Sequence, residues 1–126
     1  MTNRKWISVG AFFALSSVAI GAFAAHALKA TLSEYALGII ETGARYQMYH
    51  ALGIVLVAIV STQLKLKLSI SKLCFSVGIV LFSGSLYLLA FSGLKTFAYF
   101  TPIGGIFFIV AWMILIYRLL RVDIGD

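Results

Sequence analysis

Charged positions divide the chain into long apolar runs. Residues 6–28, 46–64, 73–94 and 96–117 contain no Asp, Glu, Lys or Arg, giving stretches of 23, 19, 22 and 22 residues. A helix rising 1.5 Å per residue needs about 20 residues to cross a hydrocarbon core of about 30 Å. Each run meets that length. The pattern predicts four membrane-spanning helices over about 6–27, 45–63, 73–93 and 102–120, an all-α four-transmembrane-helix bundle forming a single membrane domain over 1–126.

The segment between the first two runs is patterned differently. Leu28, Leu32, Tyr35, Ala36, Ile39 and Ile40 recur at helical spacing, with Lys29, Ser33, Glu34 and Glu41 elsewhere. Thr31-Leu32-Ser33-Glu34 fits a capping box. The expectation is a short amphipathic interfacial helix over about 31–42, bent toward the second crossing at Gly38 and Gly43. The other reading makes this segment the extended start of helix two. Farther on, Thr101 followed by Pro102 suits the N-cap and first position of helix four.

Composition removes whole classes of function. The 126 residues are 62% hydrophobic and 11% charged, against roughly half and a quarter in soluble domains. Lys and Arg exceed Asp and Glu by 10 to 4. That excess reads as a topology signal and not as a nucleic-acid footprint. Arg4, Lys5, Lys65, Lys67, Lys72, Arg118 and Arg121 share one side of a four-helix arrangement, and Lys29, Arg45 and Lys95 take the other. The bias predicts both termini in the cytoplasm, with the lipid bilayer as the principal partner. Arg4-Lys5 before an apolar stretch imitates a signal peptide, but the stretch exceeds the usual 7 to 15 apolar residues, so it reads as a retained helix.

Two groups of residues are candidates for more than spanning. Gly10, Ala14, Ser17, Gly21 and Ala25 stack small side chains on one face of helix one. With Ser83, Gly84, Ser85, Gly104 and Gly105 they predict close helix packing, either within the bundle or against another copy or another membrane protein. The second group is polar: His26, Glu41, Arg45, Gln47, Tyr49 and His50. At 100° per residue Glu41, Arg45 and Tyr49 share one face, with Gln47 and His50 opposite. A hairpin through residues 28–45 would bring His26 and His50 to similar depth. Two histidines without fixed spacing make no metal signature, and the single Cys74 forms no intramolecular disulfide. No cofactor is expected. Neither Ser83 nor Ser85 has the context of a nucleophile, so enzyme chemistry is not expected. A structural or accessory bundle ranks first. The alternative is a small channel or transporter with an outer vestibule at His26, Glu41, Arg45 and His50.

Four blocks carry a resemblance: Gly21-Ala22-Phe23-Ala24-Ala25-His26-Ala27-Leu28, Tyr46-Gln47-Met48-Tyr49-His50-Ala51-Leu52, Leu81-Phe82-Ser83-Gly84-Ser85-Leu86-Tyr87 and Thr101-Pro102-Ile103-Gly104-Gly105. In this order they resemble the YgdD-like family of small multi-pass inner-membrane proteins, a domain of unknown function numbered 423. Ala24 stands where that family often has Gly. The resemblance implies a multi-pass protein of the bacterial inner membrane and supplies no activity, substrate or catalytic residue.

Overall fold

The computed structural model describes residues 1–122; residues 123–126, the end of the expected 1–126 domain, lie outside the described residues. Four helices follow one another: α1 (Asn3–Ala25), α2 (Glu34–Gln63), α3 (Ser69–Ser92) and α4 (Phe100–Leu120), with short 3-10 turns at Leu28–Ala30 and Lys95–Tyr99. All four are long and apolar enough to cross a membrane, and no strand occurs among the described residues. Each helix packs antiparallel on the next, and α2 and α3 form the middle of the bundle.

The helix ends show where local signals were misread. Residues 31–42 do not form a separate interfacial helix, because α2 runs unbroken from Glu34. Its N-cap is Ser33, whose hydroxyl accepts from the Ala36 amide at 3.1 Å. Thr31 instead donates to the Leu28 carbonyl, so the cap lies two residues beyond it, and with Ala36 at the third helical position no reciprocal capping box forms. Gly43 does not interrupt the helix. A Cβ there would fall 2.8 Å from Cε1 of Tyr87, so the missing side chain makes room for that ring. Thr101 and Pro102 both lie inside α4, which opens at Phe100, two residues before the expected start, and Thr101 spends its hydroxyl on Ser85. The first turn leaves its N–H groups without intrahelical partners, so Pro102 is tolerated there. At the other end of that connection Gly93 closes α3 with φ 70°, a left-handed cap that glycine adopts without strain.

Two apolar cores fill the bundle. The larger sits toward the end that carries the start of α1 and the end of α4 and joins Trp6, Ile54, Val57, Phe75, Ile79 and Phe108; the smaller, at the opposite end, joins Ala24, Ala36, Ile40 and Ala90. Close approaches recur where side chains are missing. A Cβ on Gly10 would meet the Ala51 carbonyl oxygen at 2.8 Å, and one on Gly104 would overlap the backbone of Phe82. Outward faces remain apolar, as at Ile106, Ile109 and Met113 of α4, each about 60% exposed. A surface of that kind belongs in hydrocarbon.

Candidate functional site

Two places concentrate polar chemistry, one inside the bundle and one at its outer end. The inner one is built on Gln47 of α2. Its amide nitrogen donates to the Phe13 carbonyl at 2.8 Å and to the Ser16 hydroxyl at 2.7 Å on α1, while its oxygen accepts from the Tyr87 hydroxyl of α3 at 2.8 Å. Beside it, Ser17 donates to the Ala44 carbonyl and Ser83 to the Gly43 carbonyl, each at 2.7 Å. Ser17, Gln47 and Ser83 are all buried. Every member of this network is engaged by protein atoms, which suits a polar group enclosed by lipid.

His50 lies apart from the network. Its ring stacks on Phe108 at 3.5 Å and 4°, with Phe75 and Trp112 around it, and its Nδ1 is 2.7 Å from the Tyr46 carbonyl. His26 is exposed at the C-cap of α1. The two do not meet. Gly10 lies against Ala51 and Ser17 against Ala44, so residues of α1 and α2 whose numbers total about 61 face each other. His26 therefore stands opposite residue 35, about 22 Å along the helix from His50 at 1.5 Å per residue. The expected vestibule joining His26, Glu41, Arg45 and His50 does not form as one site. No group of three or more His, Cys, Asp or Glu side chains converges among the described residues.

The outer place is a cleft of about 660 Å³ between α1 and the first half of α2. Ser17, Gly21, Ala24 and Ala25 supply one wall, and Leu37, Gly38, Ala44, Met48 and Tyr49 the other. Lys29, Glu34, Glu41 and Arg45 line the same space. Glu41 and Arg45 form the acid-first i,i+4 ion pair at 2.5 Å, both exposed. A Cβ on Gly21 or on Gly38 would meet nothing within 4 Å, so both glycines leave the walls bare. The small-residue face of α1 is thus divided. Gly10 and Ser17 pack on α2, whereas Gly21 and Ala25 open into the cleft. Among the other packing candidates, Ala14 packs against the larger core, Ser83 and Ser85 bond their neighbours, Gly104 abuts Phe82, a Cβ on Gly105 would just reach the Phe82 ring at 4.0 Å, and Gly84 faces open space.

Two features escaped the pattern of the sequence. Lys29 and Glu34 belong to the cleft, a placement that depends on how the 26–33 connection folds back over α1. Lys72, counted only as a loop charge, is almost wholly buried, its ammonium donating to Oδ1 of Asn3 and lying 5.9 Å from the centre of the Trp6 ring.

Comparison with known proteins adds a family. Residues 20–105 match the model of a family described as a protein of unknown function, DUF423. The chain is 40% identical to a UPF0382 membrane protein of Haemophilus influenzae over 91% of its own length and 93% of the relative's. It is 37% identical to the UPF0382 inner membrane protein YgdD of Escherichia coli K12, over 96% and 93%. A UPF0382 membrane protein of Staphylococcus haemolyticus is 38% identical over 90% and 93%. No solved structure matches the chain significantly.

Proposed function

The chain belongs to the DUF423 family of multi-pass membrane proteins, and from that premise we propose that it is a structural or accessory helix bundle, without catalysis or transport of its own, that meets its membrane partner through the outer cleft. One observation carries this reading. The Gln47 amide ties α1, α2 and α3 together and is itself consumed in doing so. A conduction or transport path needs polar groups free to face water or substrate. At the level of Gln47, Ser83 and Tyr87 those groups are turned onto one another, and His50 is walled in by aromatic rings. What stays open is the cleft, bare at Gly21 and Gly38.

Both termini lie in the cytoplasm in this proposal, which places the cleft at the outer leaflet. The supporting asymmetry is the surplus of Lys and Arg at the end shared by the termini and the α2–α3 connection. The reading is tested by reconstituting the purified chain in liposomes and following ion and proton flux over a range of pH. No flux above empty vesicles is expected. A flux that disappears in Gln47→Leu would replace the structural reading with a channel.

A further inference from the structure

We propose that the outer cleft holds a single phospholipid with an ammonium headgroup, of the phosphatidylethanolamine type, taken from the surrounding leaflet. The inference rests on the cleft being the partner-facing surface and names what fills it.

Length is the first support. Along α2 the lining runs from Glu34 to Tyr49, about 22 Å at 1.5 Å per residue. One leaflet, half of a core of about 30 Å plus one headgroup layer, is roughly 20–22 Å deep. α2 is 30 residues long, which makes it about 45 Å, so its first turns reach beyond the hydrocarbon into the headgroup layer. The cleft therefore extends from the headgroups down toward the middle of the bilayer.

Shape is the second. One wall is Ser17, Gly21, Ala24 and Ala25, and the cleft is bare at Gly21 and Gly38, so alkyl chain can lie against both helices there. Two concave faces do not interlock as a symmetric pair of copies would require.

Charge is the third. Lys29 and Glu34 stand at the headgroup end, a mouth with no net charge in a chain whose formal charge is +6, while Glu41 and Arg45 line the cleft about 10 and 16 Å farther along α2. Glu41 and Arg45 pair with each other, while Lys29 and Glu34 have no ion-pair partner among the described residues. A mouth that offers one free ammonium and one free carboxylate complements a phosphate joined to an ammonium. An anionic lipid would instead bring its phosphate to Lys29 and leave the Glu34 carboxylate without a cation. Tails gain little by leaving one apolar environment for another, so selectivity has to arise at the headgroup.

The test uses the full chain, reconstituted with equimolar phosphatidylethanolamine, phosphatidylglycerol and phosphatidylcholine, extracted in mild detergent and weighed by native mass spectrometry. One phosphatidylethanolamine per chain is expected, enriched about tenfold over either competitor. Gly21→Leu, which projects into open space and leaves helix content unchanged by circular dichroism, loses the lipid. The double substitution Lys29→Gln and Glu34→Gln keeps a lipid and loses the enrichment. Retention in the mixing ratio, or no retained lipid, overturns the proposal. So does displacement by soluble phosphoethanolamine, which would assign the mouth to a free headgroup. Gly38→Cys linking two chains in the membrane would show a second copy in the cleft and overturn it as well. None of these outcomes alters the flux measurement, so the structural reading stands or falls separately.

Discussion

The Tyr87 hydroxyl donates to the Gln47 side-chain oxygen at 2.8 Å, joining α3 to an amide whose nitrogen already holds α1. Replacing Gln47 by Leu leaves the half-buried Tyr87 phenol without that acceptor and frees the Ser16 hydroxyl and Phe13 carbonyl it held, so Gln47→Leu should lower stability by roughly 1–3 kcal/mol. Tyr87→Phe should cost less, about 0.5–1.5 kcal/mol. A double-mutant cycle read by thermal unfolding in detergent should give a coupling near 0.6 and below about 1.7 kcal/mol, the range for interhelical hydrogen bonds in membranes. A coupling of zero removes this bond from the forces holding α2 to α3.

Glycines that look alike in the sequence separate into two kinds. A Cβ on Gly104 would lie 2.8 Å from Cα of Phe82 and must push α4 away from α3. Gly104→Ala should therefore destabilise by about 1–3 kcal/mol. Gly84 has nothing within 4 Å of the same position, and Gly84→Ala should be neutral or gain up to about 1 kcal/mol of helix propensity. Equal unfolding temperatures for the two variants would contradict the packing described here.

The four spans were legible because lipid demands length and apolarity of each helix by itself, with no reference to its neighbours. Relative register was not legible. Whether His26 meets His50 depends on Ser17 facing Ala44, and no local pattern encodes that pairing. The start of α2 was misplaced for a related reason. Its first turns carry Glu34 and Glu41, too polar to count as spanning, yet Ala36 and Ile40 pack against Ala24 and continue the helix. Gln47 stood out as polar, while its partners on α1 and α3 required the tertiary contacts.

Lys72 offers a test of buried charge. It is 1% exposed, and its ammonium has the Asn3 side-chain oxygen as its hydrogen-bond partner, with no carboxylate paired to it among the described residues. Lys72→Met keeps the length and removes the cost of enclosing a cation, so stability should stay within about 1 kcal/mol of the parent or rise. Asn3→Leu leaves the ammonium in place without its acceptor and should destabilise by about 1–3 kcal/mol. Thermal unfolding of the two variants decides the matter. The reverse order would make the cation itself a source of stability.

Orientation is testable with single cysteines in a background where Cys74, which is buried, has been replaced by Ala. Lys72 reaches Asn3, and Arg118 donates to the Lys67 carbonyl at 3.1 Å, so the N-terminus, the α2–α3 connection and the end of α4 share one end of the bundle. That end collects Arg4, Lys5, Lys65, Lys67, Lys72, Arg118 and Arg121, against Lys29 and Lys95 at the other, with Arg45 about midway along the α1–α2 contact. Positive charge near helix ends is retained on the cytoplasmic side. Thr31→Cys is an exposed position that spares the Ser33 cap, and it should react with an impermeant maleimide in intact cells. Ser69→Cys, also exposed, should react only after the membrane is opened. The opposite labelling would invert the protein and move the cleft, with its Lys29 and Glu34, to the cytoplasmic leaflet.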